Sequence, residues 1–191
     1  MLTDVSINVS QNMLHELFPL CKGLEDTTLG TTLQFSVCRE EFAQILHTGQ
    51  CHWVAVSNIG CTEGEINVYD SLNSGTVTSF TLKQIFAIVH KQEPEIIINI
   101  KPVQQQNDGT DCGVFAIAFV TSILNGQDPS TASYNSKRLR PHLLSCIKNG
   151  RLSPFPEAPD LARVQRCKDA RVVGTVHQGR GVVLRDMPLE N

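Results

Sequence analysis

A polar turn runs without a break into an apolar segment: Val103-Gln104-Gln105-Gln106-Asn107-Asp108-Gly109-Thr110-Asp111-Cys112-Gly113 is followed at once by Val114-Phe115-Ala116-Ile117-Ala118-Phe119-Val120. A run of this kind has to be buried, and its length and its Ala and Phe content suit a helix better than a strand. Asn-Asp-Gly-Thr-Asp supplies turn and helix-capping chemistry just before it. Cys112 is therefore expected at the N-terminus of a buried helix. Unpaired backbone N–H groups and the positive end of the helix dipole favour a thiolate over a thiol at that place, and the thiolate is the form that attacks carbonyls.

The 191 residues, 41% of them hydrophobic, suit one domain with a real core and an appended tail. Residues 1–150 carry 9 Lys/Arg against 14 Asp/Glu and residues 151–191 carry 7 against 5, so the main body is acidic and the tail slightly basic. The main body has no basic stripe, and nucleic acid is not expected as a partner. No stretch approaches the roughly 20 apolar residues of a membrane span, so no membrane association is expected. The seven cysteines, at 21, 38, 51, 61, 112, 146 and 167, are odd in number and include no Cys-x-x-Cys pair. Leu2-Thr3-Asp4 places a carboxylate where a basic leader would begin, and the cytoplasm or nucleus, both reducing, is the expected compartment. Cys51 and His52 are adjacent and would point apart in a strand, so no metal site is expected from them.

Along the chain, Asp4 can cap a helix carrying Ile7, Met13, Leu14, Leu17 and Phe18 toward Pro19. Leu33 to Val37 alternates as a short strand should, and Glu40 to His47 forms a second short element with Phe42, Ile45 and Leu46 inward. The densest strand signal is His52 to Ile59, a turn around Gly60 to Gly64, and Glu65 to Asp70, which reads as an antiparallel pair. That pairing brings His52 and Asp70 together. Thr81 to His90 reads as a helix stopped by Pro94, and Glu95 to Val103 as a buried strand leading to the glutamine-rich turn. The Cys112 helix should end near Asn125-Gly126, and Ser136 to Lys148 should form another closing at Asn149-Gly150, with Pro141 in its first turn or at a mild kink. Prolines from Ser153-Pro154-Phe155-Pro156 onward mark a domain boundary, leaving 1–150 as the folded domain and 151–191 as a poorly ordered tail.

A thiol protease needs a nucleophile, an imidazole to pair with it, a group that orients the imidazole, and donors for the tetrahedral oxyanion. Cys112, His52 and Asp70 can fill the first three places. Gln106, six residues before Cys112 across a glycine-containing turn, can fold its amide back beside the thiol and complete an oxyanion hole with the Cys112 N–H. Taken singly, each has a plainer reading. Cys112 is a small buried hydrophobe, His52 a strand histidine, Asp70 a turn residue and the glutamines a solvated loop. Their order and context together favour the catalytic assignment.

His52-Trp53, then Val68-Tyr69-Asp70-Ser71-Leu72, then Gln104 to Gly113 resemble the His-Trp, Asp-Ser and Gln-x-x-x-x-Asp-Cys-Gly blocks of the ubiquitin-like-protein-specific cysteine proteases, the Ulp/sentrin (SUMO) protease family. The resemblance covers roughly residues 1–150. It implies an α+β fold, a papain-like variant of the Ulp type, with the nucleophile at the N-terminus of a central helix packed on a mixed, largely antiparallel sheet. It also implies His52 as general base and imidazolium partner, Asp70 as its orienter, Cys112 as nucleophile and Gln106 as oxyanion donor. Catalysis of this kind needs neither metal nor organic cofactor.

The implied partner is SUMO or another ubiquitin-like modifier and its conjugates, met by a monomer and cut after a C-terminal Gly-Gly held between aromatic walls. Trp53 matches the wall that follows the catalytic His and also reads as a core aromatic. The family's second wall is the Trp of a Trp-Leu-x-Asp-x-x-Ile-Asn block, and Met1-Leu2-Thr3-Asp4-Val5-Ser6-Ile7-Asn8 has Met in that position, as expected of either a truncated start or a tunnel with half its walls missing or rebuilt. Asp111 either caps the Cys112 helix or touches the substrate's C-terminal region. As a like charge beside the thiol it opposes ionisation, which His52 and the helix dipole must outweigh. A processing protease of the viral type, with the same triad, and an inactive ubiquitin-like-protein-binding pseudoprotease are the competing readings.

Overall fold

A computed structural model describes residues 1–72, 75–89, 95–158, 165–177 and 181–187. Helix α1 (Asp4–Leu17) buries Ile7, Met13 and Leu14 at helical spacing. Its N-cap is Thr3, in extended conformation, and not Asp4 as the sequence suggests; Asp4 lies in the first turn, where its charge suits the positive end of the helix. Gln11 ties the helix to the sheet, accepting from the Ile45 N–H at 2.9 Å and donating to the Glu25 carbonyl at 2.6 Å.

Strand β1 (Lys22–Gly23) and the short helix α2 (Leu29–Thr32) follow. The strand expected over 33–37 does not form. Leu33 ends α2 in a left-handed conformation at φ +57°, and the alternation beyond it reflects one buried side chain, Phe35, with no ladder partner alongside. Strands β2 (Phe42–His47), β3 (Trp53–Ser57) and β4 (Glu65–Tyr69) then form an antiparallel meander, with Leu46 opposite Val54 and Val56 opposite Val68.

Helix α3 (Ser79–Ile88), capped by the Thr78 hydroxyl that accepts from the Thr81 N–H at 3.1 Å, crosses over so that β5 (Glu95–Ile100) runs parallel to β4. His90 and Pro94, assigned to the end of this helix and its stop, lie outside the described residues. Helix α4 (Cys112–Leu124) and helix α5 (Ser136–Asn149), which ends on Gly150 at φ +66°, complete the helical layer, with Pro141 inside α5.

The tail is where sequence and structure part. Strands β6 (Ala170–His177) and β7 (Gly181–Met187) extend the sheet, which among the described residues has seven strands in chain order. Leu152 and Phe155 are buried in the same apolar cluster as α4 and α5. The prolines at 154 and 156 prevent regular structure without preventing packing. The boundary expected at 150 therefore falls inside the fold, while residues 159–164, 178–180 and 188–191 of the expected tail lie outside the described residues.

Period-two alternation sorts the side chains onto two faces of the sheet. Ala43, Ile45, Trp53, Ala55 and Tyr69 face α1, α4 and α5. Phe42, Leu46, Val54, Val56, Ile66, Val68, Ile96, Ile98 and Ile100 face α3. Helix α4 is buried from Cys112 through Ile123, which explains why it has apolar residues on every side. Phe115 and Phe119 pack with Tyr134 at centroid distances of 5.7 to 6.3 Å, and the Tyr134 hydroxyl pairs with Ser122 at 2.8 Å. Burial of each large apolar side chain contributes about 1.5–3 kcal/mol, so α4 anchors the layer that carries Cys112.

Candidate active site

Three edges of this architecture converge at one end of the sheet: the entry to β3, the exit from β4 and the N-terminus of α4. His52 immediately precedes β3, and its Nε2 lies 2.6 Å from Asp70 Oδ1 just past β4. With Nε2 engaged, Nδ1 is the nitrogen available to the thiol, and His52 and Cys112 interact through their side chains. Asp70 Oδ1 also accepts from the Leu72 N–H at 2.8 Å, so the residue turns the chain and holds the imidazole at once.

The electrostatics favour an ion pair. Burial is the largest influence on Cys112 and opposes the thiolate, yet the His52 hydrogen bond, the Trp53 backbone, the His52 charge and the Gly113 backbone together hold the thiol below its ordinary value. Burial likewise pushes His52 down, but hydrogen bonds and charge from Asp70 and Cys112 outweigh it and raise the imidazole to about 9. Cys112 is 1% exposed, so the thiolate is stabilised by these groups and not by bulk water.

Gln106 sits in the loop before α4 and is buried. Its Oε1 accepts from the Ser71 hydroxyl at 2.7 Å, its backbone N–H donates to the Ser71 carbonyl at 2.7 Å, and its Nε2 donates to the Asp108 carbonyl. An amide nitrogen has two N–H donors, so one remains for another acceptor. The backbone N–H of Cys112, first residue of α4, has no acceptor within the helix.

Sequence reasoning missed two residues that hold this arrangement. Ser71 fixes Gln106, and Gln105 Nε2 donates to the Asp70 carbonyl at 3.0 Å, so the Asp70-Ser71 and Gln105-Gln106 pairs are sewn together. Ser71 stands within the Asp-Ser block, a signal that was present but carried no role. Residues 165–167 brace the same loop from outside: the Gln105 N–H donates to the Gln165 carbonyl at 2.8 Å, and Gln104 bridges Arg166.

Asp111 is the N-cap residue by position, but its side chain makes no cap hydrogen bond. Its Oδ1 instead accepts from Arg140 Nε at 2.5 Å, and with 8% exposure it is committed within the protein. The side chain is thus paired with Arg140 and does not cap the helix. The physical reason is that Arg140, 29 residues away, offers a charge-assisted partner, while Asp108 Oδ1 accepts from the Thr110 and Asp111 N–H groups at 2.6 and 2.9 Å.

Trp53 is 4% exposed, packed edge-on against His47 at 4.7 Å, and its indole donates to the Leu2 carbonyl at 3.1 Å. The N-terminal residues thus lie against Trp53, with Met1 at 47% exposure. A Cβ at Gly113 would meet Leu2 Cβ at 3.0 Å and Trp53 Cδ1 at 3.2 Å, so glycine after Cys112 permits this contact. Cys51 is exposed and lies in the turn before β3 at φ +53°, not in the strand. Among the described residues, no cluster of three or more His, Cys, Asp or Glu side chains could hold a metal ion.

The family model described as the Ulp1 protease family, C-terminal catalytic domain, matches residues 43–145, just over half of the chain. The chain belongs to the Ulp1 protease family. The matched span contains His52, Asp70, Gln106 and Cys112. No curated protein matches the chain. The Ulp1-family fold is also found in solved structures. The C-terminal Ulp1 protease domain in complex with Smt3, the yeast ortholog of SUMO, is 14% identical at a TM-score of 0.55, over 78% of this chain and 77% of that one. SUMO protease Ulp1 with its catalytic cysteine oxidised to a sulfenic acid is 15% identical at a TM-score of 0.58, with the same coverage. The Xanthomonas campestris effector XopD bound to ubiquitin is 14% identical at a TM-score of 0.54, over 75% of this chain and 90% of that one.

Proposed function

We propose that this Ulp1-family chain is a cysteine protease that hydrolyses the peptide or isopeptide bond after the C-terminal Gly-Gly of SUMO or another ubiquitin-like protein. One observation carries the reading: the thiol that opens α4 meets the side chain of His52, whose Nε2 is itself held 2.6 Å from Asp70 Oδ1. The complexes formed by the similar structures with Smt3 and with ubiquitin support the substrate class.

The Cys112 thiolate adds to the carbonyl carbon of the terminal glycine. The resulting oxyanion accepts from the Cys112 backbone N–H and from the free N–H of Gln106 Nε2. Imidazolium His52 gives its proton to the leaving amine as the C–N bond breaks, and a thioester remains on Cys112. Water then adds to the thioester with His52 taking its proton. Collapse releases the carboxylate, restores the thiolate and leaves the imidazolium as it began. Asp70 holds the ring in the orientation both steps use. No step draws on a metal or organic cofactor. Trp53 and the Leu2 backbone packed on it form the flank along which a side-chain-free tail would lie. The unbridged thiols suit a reducing cytoplasm or nucleus.

Cys112→Ala is expected to abolish cleavage of a ubiquitin-like precursor while leaving the thermal melt unchanged. His52→Ala should be nearly as severe. Cleavage that persists in the folded Cys112→Ala protein would refute the assignment.

A further inference from the structure

The residue before the nucleophile is an aspartate, and a carboxylate beside a thiol opposes its ionisation. A second carboxylate, Asp108, holds the Thr110 and Asp111 N–H groups, so the loop that leads into Cys112 carries two negative charges. From the other side of the loop, Arg140 on α5 reaches both groups that precede Cys112. Its Nε donates to Asp111 Oδ1 at 2.5 Å and its Nη2 to the Thr110 carbonyl at 2.6 Å. A guanidinium suits this task because its donors form a rigid planar fork, whereas an ammonium is a point charge.

We propose that Arg140 is a positioning residue for the nucleophile, offsetting the Asp111 charge and clamping the Thr110–Asp111 backbone so that the Cys112 thiolate and its N–H keep their place. This rests on Cys112 being the nucleophile. The charged groups facing that centre are His52 with Asp70 behind it from the β3–β4 side, Asp108 and Asp111 from the glutamine loop, and Arg140 from α5. Burial, followed by Asp108, raises the Asp111 carboxyl, and Arg140 works against both. With Arg140 removed, the Asp111 charge next to the nucleophile loses the guanidinium that offsets it.

The test is the pH dependence of Cys112 alkylation by iodoacetamide, followed at the level of the Cys112 peptide, together with kcat and KM for a ubiquitin-like precursor. In Arg140→Gln the alkylation midpoint should move to higher pH, with alkylation at neutral pH slowed by about threefold or more. The kcat should fall and KM stay within about twofold. Arg140→Lys should restore the midpoint in part, and Asp111→Asn/Arg140→Gln should return it close to the wild-type value.

A merely structural role would lower activity without moving the midpoint, and that result overturns the proposal. So does a double variant whose midpoint stays as high as that of Arg140→Gln. Should Arg140→Gln fail to fold, the double variant decides, with a folded protein of wild-type midpoint expected and a second folding failure counting against the proposal. An ordinary, unlowered midpoint in the wild-type chain would instead count against Cys112 as the nucleophile.

Discussion

Cys112 and His52 ionise as a pair, and their opposite displacements define a pH window. Burial works against both charges. The Asp70 and Cys112 contacts nevertheless raise His52 from 6.5 to about 9, and the His52 contacts lower Cys112 below its ordinary 9.0. Hydrolysis should therefore rise as pH climbs through the lowered thiol value and fall as pH passes about 9, where the imidazolium loses its proton. For stability, the raised His52 contributes fully below 6.5 and loses its contribution as pH rises through about 9. The lowered Cys112 contributes fully above 9.0 and loses its contribution as pH falls through its folded value. Asp70→Asn removes the main support of the raised imidazole. It should bring the alkaline limb of the rate profile toward neutral pH and lower kcat by roughly 10²-fold, a result checked by pH–rate profiles of both proteins. Ser71→Ala frees the Gln106 carbonyl. It should lower kcat about tenfold with KM little changed, and add little when combined with Gln106→Ala, as steady-state kinetics of the double-mutant cycle will show.

At the scale of elements, the Cys112 helix is read directly from Val114 to Val120, since no other regular element among the described residues buries so many consecutive apolar residues after a polar turn. The β3–β4 pairing is equally legible, because alternation on both sides of a glycine-containing turn leaves one register that buries Val54, Val56, Ile66 and Val68 together. Leu33 to Val37 misleads because alternation reports burial of one face and not the presence of a neighbouring strand. The Asp111–Arg140 pair is hidden for a different reason: two charges far apart in sequence leave no periodic trace. Gly113 shows how tightly these elements meet. Gly113→Ala would force Leu2 or Trp53 to move, and should destabilise the fold by about 1–3 kcal/mol in urea unfolding and displace the N-terminal residues from the site.

For the whole molecule, residues 165–177 and 181–187 are part of the same body as His52, Asp70 and Cys112. Strand β6 covers the edge of β5, with Ile96 through Ile100 paired to Gly174 through Ala170, and Arg171 pairs with Glu65 on β4 across the intervening strand. Composition could not disclose this, since short valine-containing runs separated by glycine and charge have no meaning until β5 is there to receive them. Truncation after residue 150 should expose the β5 edge, remove Leu152 and Phe155 from the core and unbrace the glutamine loop. A soluble product, if one is obtained, should melt on the order of 10 °C or more below the full chain, read by circular dichroism.

The proposed function requires this assembly to present one reactive thiol to the C-terminus of a ubiquitin-like protein. The direct measurement is incubation of the full chain with a panel of ubiquitin-like proteins bearing a C-terminal electrophile, followed by mass mapping of the adduct. Covalent capture at Cys112 by at least one modifier is expected, lost in Cys112→Ala and slowed in His52→Ala. A folded chain that binds a modifier yet leaves Cys112 unlabelled, or is labelled at another of its seven cysteines, would contradict it.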